Sequence, residues 1–94
     1  MSKHKEAPVD VIDTARQKGR AEYDKLMPRL LHEHTDWTIV INVGEPSDNP
    51  YALSVTADGA KQLAETLEWT AFYVRAVGEN TLGTESVVIV GLIW

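Results

Sequence analysis

His32-Glu33-His34 is the densest run of metal-ligating side chains in the chain. In a helix, residues two apart point about 200° away from each other, so these histidines do not face one ion. The helical zinc pattern His-Glu-x-x-His is absent. His34 is therefore expected to pack at the edge of the core, and His32 to stand in water. The serines are Ser2, Ser47, Ser54 and Ser86, and none lies in a Gly-x-Ser-x-Gly turn. Neither Gly-x-x-x-x-Gly-Lys nor Gly-x-Gly-x-x-Gly occurs, so nothing in the sequence cradles a phosphate. Asp36 beside His34 is the one acid/base pair to name, and no pocket-forming pattern accompanies it. With no cysteine there is no thiolate chemistry, no disulfide and no cysteine zinc site. The expectation is a chain without catalytic residues, metal, cofactor or small-molecule substrate, and not an enzyme.

The elements that would carry these residues read as α-β-β-α-β-β. Residues 1–8 have no hydrophobic periodicity and are expected to form a flexible arm ahead of a single domain, 9–94. From Ile12, the residues Ala15, Gly19, Tyr23, Leu26, Met27 and Leu30 fall near one line at about 100° per residue, which predicts an amphipathic helix. Pro28 lies off that stripe and predicts a kink or break, or a second helix beginning there. Trp37 to Val43 alternates and is β-branched, predicting a strand. The turn-forming Gly44 to Pro50 joins it to a second strand, Tyr51 to Val55, as a hairpin with a long loop. Thr56 is a candidate N-cap for a helix running to about Trp69. Thr70 to Val77 and Ser86 to Trp94 complete the set as strands three and four.

This order predicts an α+β fold with a four-stranded sheet and two helices on one face. Strand four is apolar on both faces, which favours a central place and the order 2-1-4-3, with 2-1-3-4 as the alternative. Two helices on one face leave apolar side chains on the other. That surplus predicts an interface, and the residues expected to form it are Val40, Tyr73, Arg75, Val88, Val90, Leu92 and Trp94. Arg75 is the lone cation among the strands; a cross-strand pair with Glu45 or Glu85 is its expected role, a partner's carboxylate the alternative.

Charge is unevenly placed. Residues 1–36 balance seven Lys/Arg against seven Asp/Glu, whereas 37–94 set only Lys61 and Arg75 against seven acids. An acidic half repels phosphate backbones, so no direct nucleic-acid contact is expected. The polar start, Met1 to Pro8, lacks the apolar core of a signal peptide, and no run is long enough to span a bilayer. No membrane association and a cytoplasmic location are the expectations.

The segment Leu26-Met27-Pro28-Arg29-Leu30-Leu31-His32-Glu33-His34-Thr35-Asp36-Trp37-Thr38-Ile39-Val40-Ile41 resembles a family of small, uncharacterised prokaryotic α+β domains, in which a Pro-x-Leu-Leu helix leads into an aromatic and valine strand. The later helix and Phe72-Tyr73-Val74-Arg75-Ala76-Val77-Gly78 extend the likeness over about two-thirds of the chain. The chain departs from that pattern in the Glu45 to Pro50 loop, where the family has a tight glycine turn. The resemblance implies a fold and no activity. Composition and pattern together predict a small protein-interaction module that meets a protein partner or itself, a homodimer being the simplest form. An acidic inhibitor of a nucleic-acid-binding enzyme, phage-encoded or antitoxin-like, and a minor phage structural protein are the alternatives.

Overall fold

Apolar residues three and four apart draw Val9–Glu33 into one long helix, α1, with Asp10 in its first turn and His32 in its last, both favourable to the helix dipole. The computed structural model describes residues 9–44 and 50–90. The expected break at Pro28 does not occur, because this proline lies on the exposed side. The backbone bond lost to its missing N–H therefore faces water. The flexible arm expected at 1–8 lies outside the described residues.

The chain then lays down β1 (Thr38–Asn42), β2 (Tyr51–Ser54), α2 (Ala57–Thr66), β3 (Ala71–Ala76), a 3-10 turn (Leu82–Thr84) and β4 (Ser86–Ile89). Thr56 caps α2, its Oγ1 accepting from Gly59 N at 3.0 Å. The helix ends earlier than the expected Trp69, because Glu68 takes a left-handed conformation, φ 62°. Glu68 N then donates to Glu65 O and Trp69 N to Ala64 O, a Schellman closure that turns Trp69 into the core.

The sheet is antiparallel throughout, in the order β2-β1-β3-β4. This is the alternative order; the favoured one is corrected, since β3 takes the central place and β4 the edge. β3 carries bulky side chains on both faces, Phe72 and Val74 on one, Tyr73 and Arg75 on the other, and all four are buried. All of β4 is only half-buried.

A second correction concerns the helices, which lie on opposite faces. Ala15, Tyr23 and Leu30 of α1 pack with Ile39, Ile41, Val43, Tyr73 and Val77, the odd-numbered face. Ala60 and Ala64 of α2 pack with Val40, Phe72, Val74 and Trp69, the even-numbered face. Period-two alternation makes these two separate cores. Each large side chain fully buried here, such as Tyr23, Phe72 or Ile39, contributes on the order of 1.5–3 kcal/mol through apolar area removed from water.

Candidate interaction surface

The two helices are offset. α1 lies against β1, β3 and β4, whereas α2 lies against β1, β2 and β3. One helix thus reaches each edge strand on one face only, and among the described residues a shelf of β4 is left open on the α2 side. Val88 pairs with Phe72, which faces α2, so Val88 shares that face, and alternation puts Val90 there too. Val88 is half-buried, packed against the edge of the α2-side core, and Val90 is 48% exposed. Val87 and Ile89 turn to the α1 side, and Val87 packs against its core.

The outer edge of β4 has no strand beside it among the described residues. Val90 N donates to Thr70 O at 2.8 Å, so Val90, Val88 and Ser86 spend their backbone groups on β3. By the alternation of an antiparallel ladder, Val87 and Ile89 present theirs outward. No charge or proline interrupts Ser86 to Val90. The other edge, β2, is entered through the exposed Pro50, a residue that discourages strand addition.

A polar cluster anchors the start of β4. Arg20 donates to Glu85 through Nε, at 3.0 Å to Oε2, and through Nη2 to Oε1; Arg16 Nε lies 3.6 Å from Oε1. The Tyr73 hydroxyl donates to Glu85 Oε2 and accepts from Arg75 Nη1 at 3.2 Å. Arg75 Nε donates to Thr81 Oγ1 at 2.8 Å, and its guanidinium lies 3.9 Å from the centre of the Tyr23 ring. Tyr23 OH bonds Ala76 O at 2.8 Å and accepts from Gly78 N at 3.2 Å. The Arg20 guanidinium, with help from Tyr73 and against some desolvation, holds the Glu85 carboxyl below its ordinary value. Burial, reinforced by the bond to Glu85, pushes the Tyr73 phenol up to about 12. Arg20 is raised in turn, chiefly by its bond to Glu85.

Of the residues expected at an interface, Val40 and Tyr73 are interior, under α2 and α1 respectively. Arg75 is buried in the polar cluster and reaches Glu85 through the Tyr73 hydroxyl. These three present no surface, because the helices cover both faces of the central strands. Val88 and Val90 do lie on the open shelf. Leu92, Trp94 and the rest of the expected fourth strand beyond Val90 lie outside the described residues, as does Glu45. What the sequence reading missed is the role of Arg16, Arg20 and Thr81. The four-residue spacing of the two arginines, on a flank of α1 beside its apolar stripe, was the available signal.

The groups weighed for chemistry do not converge. His34 packs edge-on against Trp37, ring centres 5.0 Å apart, and its buried Nδ1 has no hydrogen-bond partner. Asp36 is exposed in a left-handed turn, φ 75°, with its backbone N–H donating to Val77 O. Among the described residues no three His, Asp or Glu side chains cluster as metal ligands. A cleft of about 340 Å³ between the start of α1 and the ends of β1, β3 and β4 is mainly apolar, with Asp10 and Lys18 its charged members. Lys18 Nζ there donates to Val43 O at 3.2 Å. Among the described residues no helix is long and apolar enough to cross a membrane.

No family model matches the chain, and no solved structure matches it. Over 63 residues, 65% of its length, the chain is 33% identical to a trichothecene 3-O-acetyltransferase of Fusarium sporotrichioides. It spans 14% of that protein's length.

Proposed function

We propose that this chain is a non-enzymatic protein-interaction module that receives an extended strand of a protein along the edge of β4. The observation that carries the reading is the uninterrupted, uncharged Ser86–Val90 edge beside an apolar shelf that α2 leaves open. Natural edge strands are blunted by lysine, proline or a covering element unless they are meant to be occupied. Strand addition supplies backbone bonds to Val87 and Ile89, and Val88 and Val90 supply side-chain selectivity. The cleft and the His34 region do not place a nucleophile, base and oxyanion donor together, so the reading is a binding one.

The test is affinity purification of the native chain from its own cell beside a Val88→Lys variant that folds equally well. A stoichiometric protein that is retained by the native chain and lost with the variant is expected. Equal retention by both removes β4 as the contact.

A second reading, an acidic inhibitor of a basic enzyme, draws on Asp58 and Glu65, exposed on α2, and Glu68, exposed just beyond its end. It predicts a partner released by moderate salt and indifferent to Val88→Lys.

A further inference from the structure

We infer that the strand received by β4 is β4 of a second copy, paired antiparallel about a two-fold axis through Val88. This rests on the reading of β4 as an occupied edge and names its occupant.

The register follows from which backbone groups point outward. Val87 and Ile89 hold the free donors and acceptors, so hydrogen-bonded pairs across a symmetric junction must join odd-numbered residues to odd-numbered ones. Axes through Val87 and Val88 satisfy this; one through Ser86 also needs Glu85 as a partner, and one through Ile89 would pair Val87 beyond the described residues. An axis through Val87 pairs Glu85 with Ile89 of the second copy, but Glu85 N already donates to Leu82 O at 3.2 Å. An axis through Val88 pairs Val87 with Ile89 in both directions and uses every outward group of β4. Val88 then faces its own counterpart in a non-hydrogen-bonded pair, and Ser86 faces Val90. The two open shelves merge into one apolar strip between the two α2 helices, which is the self-complementarity that an isologous contact requires.

Charge agrees with this arrangement. Glu85, the acid adjoining the strand, is already held by Arg20 and Arg16 within its own chain. Along α1, Arg16 and Arg20 stand beside Glu85 at one end of β4; at the other Asp10 lines the cleft with Ile89, and the Lys18 ammonium there is turned onto Val43 O. The two-fold axis exchanges these ends, so the basic flank of one α1 lies toward the acidic start of the other.

The chain has no cysteine, so single introduced cysteines report the register directly. Sedimentation of the purified native chain is expected to give twice the 10.5 kDa chain mass. Val88→Lys places two ammonium groups opposite each other and is expected to raise the dimer dissociation constant by about tenfold or more. Val88→Cys is the conservative check: mild oxidation is expected to give a covalent dimer, since such pairs hold their Cα atoms roughly 4.5 Å apart. Ser86→Cys, four residues from its own counterpart in this register, is expected to give none. A native chain that sediments at single-chain mass overturns the inference, and if Val88→Lys still loses a cellular partner, the edge reading stands without it. A covalent dimer from Ser86→Cys and not from Val88→Cys overturns the register.

Discussion

Gly19 of α1 lies directly on the ring of Tyr73, with no room for a β-carbon between them. A Cβ built at Gly19 would overlap ring atoms of Tyr73, so the helix can approach β3 this closely only with glycine at that position. This close approach is what brings Arg20, the next residue, onto Glu85.

Gly19→Ala is therefore expected to destabilise the fold despite alanine's helix preference of about 1 kcal/mol. Overpacking costs about 1–3 kcal/mol, so the expected net loss is up to roughly 2 kcal/mol. Urea unfolding followed by circular dichroism measures it. A gain in stability would mean that the ring of Tyr73 moves aside freely.

Glu85 makes stability depend on acid. Its folded carboxyl is held below the ordinary 4.5, so the unfolded chain takes up a proton first as pH falls. The stabilisation is present above the unfolded value and is lost as pH descends through the folded one. Glu85→Gln is expected to flatten this acid limb and, near neutrality, to cost about 1–3 kcal/mol in lost charge-assisted bonds. Thermal melts across the acid range of both proteins check it.

Tyr73 gives the opposite limb. Its phenol, at about 12 in the fold against 10.0 unperturbed, stays protonated where the unfolded chain has already ionised. Its contribution is complete below the unfolded value and disappears as pH rises through the folded one. Ultraviolet titration is expected to show the Tyr73 phenol ionising late, and Tyr73→Phe is expected to remove that step and weaken the alkaline loss of stability.

Thr81→Val tests the buried arginine. Thr81 Oγ1 accepts from Arg75 Nε at 2.8 Å and lies 3.0 Å from Tyr23 OH. An isosteric methyl keeps the volume and strands a donor on a buried cation, at about 1–3 kcal/mol. A denaturation midpoint unchanged from the native chain would show that the guanidinium finds water instead.

Much of the fold was legible because the patterns are strong. The Ala15, Gly19, Tyr23, Leu30 stripe is the buried line of α1, and Thr56 does cap α2. The element sequence came from periodicity, alternation and turn residues, and the strand order 2-1-3-4 was held only as the alternative. The sidedness of the helices was not legible. Ile39, Val40 and Ile41 are buried in succession, and a strand apolar on both faces says that both are covered without saying by what. The same ambiguity promoted strand four to the centre: Val87, Val88 and Ile89 match a buried strand in composition, whereas the bulk of Phe72 and Tyr73 filled the space between the helices. At the candidate site, Val88 and Val90 could be named from apolarity, but which backbone groups face outward depends on the ladder with β3, which no single strand encodes.

The pairing of Arg20 with Glu85 joins positions 65 residues apart, and it has a consequence for how the protein is made. α1 leaves the ribosome before Tyr73, Val77 and Val87, on which its apolar stripe rests. The nascent helix must wait, greasy side uncovered, until β3 and β4 have emerged as well. Such long-range closure slows folding and exposes the intermediate, with its uncovered apolar stripe, to aggregation.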